Sequence, residues 1–378
     1  MRSSLILLII IFFSSLSQAG IPQSVSDCLK SSSESVQEIK PLYAQGFTFF
    51  KGKGFSFIEF KKGYALKGGS EIILISSGPF SCPGLRTFRP PFKKVLSLST
   101  TFIPLFDFGK MNNVLIGISG KNFINSPWAL EKIKIGQLKD IGYPPNLEAI
   151  ATLGTDLILL YPLAEQEFSL EQKFKALKLN YLGLAEYLEP HPLGRAEWSK
   201  VFCAVMNCPN DAEKDFLAIV KSYEKTKSDV QKIALHPKVM MGSFWGGEWQ
   251  SPGGDSYLAK LVEDAGGDYV FSSPKEAKTK ALDFEFVYSV FSRINFWLPH
   301  ASIENLKSLQ KDDPRYKMLN KFPLKIYNYD KIKSENGGID FWENGVYRPD
   351  LVLLDLAKIF HPELVPTHSL IWYRALQW

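Results

Sequence analysis

The chain has 378 residues, 45% of them hydrophobic, enough for two domains of ordinary size with packed cores. Its 44 basic and 39 acidic residues leave a mild net charge of +5 spread along the chain, which argues against a nucleic-acid partner. Five scattered histidines without an HExxH pattern, and four cysteines without a CxxC pair, exclude the common zinc signatures.

Arg2 precedes an apolar run over residues 5–13, and small residues follow to Ser17-Gln18-Ala19. This is the pattern of a secretory signal peptide over 1–19, cleaved after Ala19. The run is too short to span a bilayer, and no later stretch is long and apolar enough to do so. No Cys stands at the cleavage point, so an exported chain without a lipid anchor is expected, most simply in a diderm periplasm. Export permits disulfides, and Cys28, Cys82, Cys203 and Cys208 allow three connectivities. The simplest joins Cys203 to Cys208 and Cys28 to Cys82.

Residues 20–92 read as a β-rich N-terminal extension. Apolar runs at 47–50 and 55–60 flank Lys51-Gly52-Lys53-Gly54, a hairpin signal, and 71–75 is a further strand. Pro79, Pro83, Pro90 and Pro91 mark loops. An α/β unit begins near Lys93, with strands at 95–99 and 114–118. Loop residues 119–123 follow the carboxyl end of the second, where open α/β sheets place ligands. Pro144 and Pro145 then interrupt the chain, and Asn146 caps a short helix with Leu147, Ile150, Ala151 and Leu153 on one face. Glu148 sits in its first turn, where the helix dipole favours a carboxylate. Gly154 ends the helix and 156–161 is a buried parallel strand. A helix over 164–178, a strand over 181–184 and a helix over 193–207, with Trp198 inside it, complete the unit.

Asn210 and Glu213 form a capping-box pattern, and Phe216, Ile219, Val220 and Tyr223 form the stripe of a helix to about Val230, roughly 30 Å long. A second unit opens at Lys238-Val239. In it Asp255 caps a helix through Ala265. Asp283-Phe284-Glu285 then repeats the cap, apolar residue and first-turn Glu of Asn146-Leu147-Glu148, and again leads into an apolar strand, 294–298. Helices follow at 303–310 and 350–360, with an aromatic loop at 339–348 between them. Two copies of one cap–Glu–helix–strand unit point to two similar lobes.

The segment from Asn146-Leu147-Glu148-Ala149-Ile150 to Asp156-Leu157-Ile158-Leu159-Leu160 resembles the N-L-E-x-I-x-x-L-x-P-D-L-I-L signature of the iron-siderophore and cobalamin periplasmic binding proteins. These are the solute receptors of ABC importers. The resemblance extends through 94–99, 194–198 and 252–257, and covers roughly 94–298. It implies an α/β fold of two Rossmann-like lobes with central β-sheets, joined by a single long linker helix. The divisions are then a signal peptide over 1–19, the extension over 20–92, lobes over 93–209 and 233–378, and the linker helix over 210–232. The resemblance also implies a periplasmic monomer, not an enzyme, with no cofactor or structural metal and no stable membrane insertion. It would capture an iron-siderophore, haem or cobalamin between its lobes and deliver it to an ABC permease and ATPase complex. Glu148 and Glu285 match the positions at which one glutamate per lobe docks onto arginines of the permease, and two rigidly placed carboxylates define an orientation as well as an attraction.

A bulky, partly apolar ligand needs large flat surfaces and few polar anchors. Trp245, Trp249, Trp297, Trp342 and Tyr347 fall near strand ends and loops of the second unit, and Tyr143 and Tyr161 at similar places in the first. Core packing is the competing role for each. Thr101 follows the first strand of the lobe, and Lys121 and Arg348 can meet an anionic ferric complex. Two other classes compete with the receptor reading. One is a secreted hydrolase with a carboxylate pair drawn from Glu248, Asp255, Asp340 and Glu343. The other is a receptor-like domain that scaffolds a partner through the extension.

Overall fold

The computed structural model describes residues 20–377 apart from 31, 33, 66–67, 162–164, 301–302 and 304; the expected signal peptide over 1–19 lies outside the described residues. Strands β1 (Gln37–Ile39), β2 (Phe47–Lys51), β3 (Phe55–Phe60), β4 (Glu71–Ser76) and β5 (Arg86–Phe88) form a sheet in chain order, antiparallel except for the β4–β5 pair. Side chains alternate between its faces. Phe47, Phe49, Ile58 and Phe60 join the core that holds Val95, Phe102, Phe202 and Val205. Phe50, Phe57 and Leu74 face the other way, against the helix Gln23–Lys30. Cys28 on that helix is bonded to Cys82, and Cys203 to Cys208. The extension therefore packs on the first lobe over a shared core.

The first lobe is a five-stranded parallel sheet in the order β10-β9-β6-β7-β8. Its strands are β6 (Val95–Ser97), β7 (Leu115–Ile118), β8 (Lys139–Asp140), β9 (Leu157–Leu160) and β10 (Tyr181–Gly183). All four residues of β9 are buried, as a strand covered on both faces requires. The helix expected over 193–207 is two helices, Pro192–Glu197 and Ser199–Met206, which meet at Trp198. Trp198 stacks on Phe60 with centroids 5.8 Å apart.

One long helix, Ala212–Val230, leads to the second lobe. Its cap is Asp211, whose carboxylate accepts from the Lys214 amide at 3.1 Å, rather than Asn210. Asn210 instead donates to the Phe108 carbonyl and the Asp215 carboxylate. Phe216, Ile219 and Tyr223 are buried in the second-lobe core, and the helix packs along Pro349–Phe360.

The second lobe contains β11 (Lys238–Met241), β12 (Ser243–Trp245), β13 (Glu248–Ser251), β14 (Asp268–Tyr269), β15 (Lys280–Leu282), β16 (Phe296–Leu298), β17 (Lys325–Asn328) and β18 (Arg374–Leu376). Five make a sheet in the order β14-β11-β16-β17-β18, parallel except for β18. The others form a small antiparallel sheet, β12-β13-β15, whose β12–β13 hairpin turns on Gly246 and Gly247, both at positive φ. Ser256, not Asp255, caps the helix Tyr257–Asp264. Among the described residues no helix is long and apolar enough to cross a membrane.

Candidate functional site

The loops that leave the carboxyl ends of the first lobe's strands converge on one cleft. Leu98, Ser99, Thr100 and Thr101 follow β6, Ser119 and Phe123 follow β7, Tyr143 follows β8, Tyr161 follows β9 and Glu186 follows β10. Trp342 and Val346 of the second lobe face them across a space of about 320 Å³. A second chamber of about 240 Å³ shares Thr100, Thr101, Phe123 and Trp342, and is completed by Gly337, Gly338, Ile339 and Glu343. The strand ends fix the local turns. Ser99 Oγ accepts from the Thr101 amide and lies 2.8 Å from Thr101 Oγ1, and Ser119 Oγ donates to the Gly142 carbonyl at 2.6 Å. Phe123 and Tyr143 meet edge to face at 5.6 Å and leave much of both rings exposed. Trp342 is held edge-on against Phe341, Tyr329 and His300.

The lobes touch at the rim of this cleft. Glu343 accepts from the backbone and side-chain nitrogens of Asn125, at 2.8 and 3.2 Å, and Ser334 Oγ donates to the Asn122 carbonyl at 3.0 Å. At Gly338 a Cβ would lie 2.1 Å from the Phe123 carbonyl oxygen, so only glycine permits this approach. Two buried carboxyls flank the space. Burial raises Glu186 to about 8, opposed by a hydrogen bond from its own backbone amide and by the charge of Arg195. Burial raises Glu343 to about 7, opposed by the bonds from Asn125. Each keeps one oxygen without a hydrogen-bond partner. No group of three or more His, Cys, Asp or Glu side chains able to hold a metal ion occurs among the described residues.

No family model matches the chain. It is 27% identical over 291 residues to an uncharacterized lipoprotein of Methanocaldococcus jannaschii, an overlap of 74% of this chain and 67% of that relative. A second uncharacterized lipoprotein of the same organism is 24% identical over 314 residues, covering 78% and 77% of the two chains. Among solved structures, CeuE of Helicobacter pylori with Ni(II) bound superposes with a TM-score of 0.56 at 15% identity, over 81% of this chain and 90% of that one. A periplasmic heme-binding protein from Pseudomonas aeruginosa gives a TM-score of 0.53 at 15% identity, over 76% and 99%. An ABC transporter substrate-binding protein from Listeria monocytogenes gives 0.51 at 18%, over 71% and 99%. The fold is that of ABC-transporter substrate-binding proteins.

Within this substrate-binding-protein fold, Thr101, Tyr143, Tyr161 and Trp342 come together in the cleft. Trp249 and Trp297 are corrected to core residues. Both are fully buried, and their indole nitrogens donate to the Met241 and Gly242 carbonyls. Trp245 is 80% exposed on the β12–β13 hairpin, outside the cleft lining. Tyr347 is buried beneath the cleft, where its hydroxyl feels the charge of Glu186. Lys121 lies 3.5 Å from Asp140, and Arg348 grips Asp350 through two bonds of 2.9 Å, so each already faces a carboxylate. Glu148 and Glu285 are exposed in the first turns of Leu147–Leu153 and Phe284–Phe291. Of the four carboxylates weighed for hydrolysis, Glu343 alone lines the cleft. Glu248 is exposed on the hairpin and Asp255 borders a separate hollow. Asp340 accepts from Trp372 and Asn344. Glu186 and Arg195 were not anticipated as lining residues, whereas Ser119 falls in the loop 119–123 expected to meet a ligand. For Arg195 the signal was its place in the motif segment 194–198.

Proposed function

We propose that this chain is the solute receptor of an ABC importer. It captures a metal complex of the iron-siderophore type, haem or a corrinoid between its lobes and presents it to a permease and ATPase complex, without turning it over. The observation that carries this reading is the convergence of five parallel-strand ends on one cleft that the second lobe caps with Trp342. Its aromatic walls, interspersed with hydroxyls and one acid–cation pair, suit a compact, partly apolar chelate, and the volume falls near the lower end of ligand pockets, roughly 300–1,000 Å³. Nickel on one structural neighbour and heme in the name of another support a metal-complex cargo. The lipoprotein names of the sequence relatives support a location outside the cytoplasm, with a tether to the membrane as an alternative to free diffusion in a periplasm. In this reading Thr101, Tyr143, Tyr161 and Trp342 touch the ligand, and Glu148 and Glu285 dock onto the permease.

The test is a thermal-shift panel of ferric hydroxamate and catecholate siderophores, haem, cobalamin and free ferric ion. A ligand at a hundredfold excess over its Kd stabilises by roughly 2.7 kcal/mol, a shift of several degrees. Thr101→Trp, which fills the cleft, should abolish the shift. Chemical conversion of a bound probe, or a shift indifferent to Thr101→Trp, would overturn the reading.

A further inference from the structure

The aromatic walls do not account for what lies at the floor of the cleft. Glu186 stands on the short turn Glu186–Leu188 after β10, is 2% exposed, lines the first chamber, and has no hydrogen-bond partner at Oε2. An ionised carboxylate with one oxygen buried and unpaired is destabilising, so burial favours the neutral acid here against the opposing pull of its own amide and of Arg195. Arg195 lines the same chamber. Its Nε donates to the Glu189 carbonyl at 3.1 Å, its Nη2 donates to the Tyr187 carbonyl at 2.6 Å, and its guanidinium lies 4.1 Å over the Tyr257 ring. These contacts fix the guanidinium plane, and among the described residues Arg195 forms no salt bridge. A partly buried cation beside a neutral acid leaves the chamber one positive charge in excess.

We infer that Glu186 and Arg195 form the polar anchor of the cleft and take a carboxylate or similar anionic oxygen group of the ligand, Arg195 supplying the opposite charge and protonated Glu186 donating its Oε2–H. The inference rests on the cleft being the ligand site. It makes binding dependent on a proton. Where Glu186 ionises, about pH 8, its charge opposes that of the incoming group. The other groups around it leave this dependence intact. Arg195 is the cation beside it, Tyr161 stands at the end of β9, and Tyr347, on the helix Asn344–Tyr347, is pushed far up by burial and by Glu186 itself.

The experiment titrates the full chain between pH 6 and 9.5 with two probes, followed by tryptophan fluorescence. One probe is haem, which carries propionate carboxylates; the other is a ferric trihydroxamate with no free carboxylate. Affinity for haem should be flat at low pH and fall about tenfold per unit above pH 8, as expected when one proton is linked to binding. The trihydroxamate should lack that slope. Glu186→Gln keeps an N–H donor, so it should hold haem within a few fold at pH 6.5 and lose the slope. A haem profile unchanged in Glu186→Gln overturns the anchor while the cleft reading stands. Binding indifferent to Thr101→Trp overturns both, and no binding of haem overturns the anchor while the cleft reading passes to the remaining ligands of the thermal-shift panel. Should Glu186→Gln fail to fold, the wild-type comparison decides, since equal slopes for the two probes overturn the anchor.

Discussion

The two lobes share a plan and differ in what they offer the cleft. Each has a central, mainly parallel sheet and a helix with an exposed first-turn glutamate, capped by the Asn146 side chain in the first lobe but without a side-chain cap bond at Asp283 in the second. The first lobe leaves its strand ends open and lines them with Ser99, Thr100, Thr101, Ser119 and Tyr161. In the second lobe Phe341, Trp342, Tyr329 and His300 pack over that end of the sheet, so it contributes a wall rather than a hollow. Both lobes also fasten a terminal segment with buried carboxylates. Glu197 accepts from the amides of Leu42, Tyr43 and Ala44, and Glu189 from those of Gln45 and Gly46. In the second lobe Asp355 accepts from Ile371, Trp372 and Tyr373. The two lobes thus use similar fastening chemistry and divide the lining of the cleft unequally.

The sharpest way to break this comparison is to exchange wall for core. Trp297→Ala should cost about 3–5 kcal/mol in a denaturant melt, because the ring is fully buried and leaves a cavity. Trp342→Ala should cost less than half of that and remove ligand-induced stabilisation; equal losses would dissolve the distinction. Next is the fastener. Glu197→Ala orphans three amides, that of Ala44 buried and those of Leu42 and Tyr43 part-buried, and should cost about 3 kcal/mol, with proteolysis of the chain near Leu42 as a second readout.

A smaller effect separates the two raised acids by pH. Glu186 and Glu343 bind a proton more tightly folded than unfolded, where the ordinary value is 4.5. Their contribution to stability is therefore full below pH 4.5 and is lost as pH rises, levelling near 7 for Glu343 and near 8 for Glu186. Glu186→Gln should gain stability over wild type between pH 5 and 8.5, on the order of a few kcal/mol at most. A constant difference across that range would place the carboxyl in contact with water. The smallest stability effect belongs to Glu148→Lys and Glu285→Lys, within about 0.5 kcal/mol of wild type, since both side chains are exposed. Ligand affinity should stay the same and uptake in cells should fall; a collapse of affinity would remove the proposed docking role.

The parts legible in the sequence were those written locally. Caps such as Asn146, the glycine stop at Gly154, and the apolar runs of β6 and β9 follow from neighbours a few residues apart, and they yielded the lobes and the long helix. Trp249 and Trp342 look alike by that standard. Only the fold shows that one fills the second-lobe core, beside Phe291 and Tyr316, while the other reaches the cleft. Glu186 gave no signal because a lone glutamate in a turn becomes notable through burial, which depends on Arg195, Tyr161 and Tyr347 arriving from elsewhere in the chain. The extension's strands were readable from alternating phenylalanines, but not the core they share with Phe202 and Val205.

The segment 42–46 carries a mechanical consequence. Tyr43 also reaches the long helix, its ring against Phe216 and its hydroxyl 3.2 Å from Glu224. Swinging that end of the helix away from the first lobe strains five consecutive amide bonds, all drawn by two carboxylates eight residues apart, Glu189 and Glu197. The same end of the helix shares a core with Leu193 and Ala196, so Phe216 and Tyr223 are held to the first lobe by apolar packing as well as through Tyr43. The joint between the lobes is therefore braced by two different kinds of contact, one polar and one apolar.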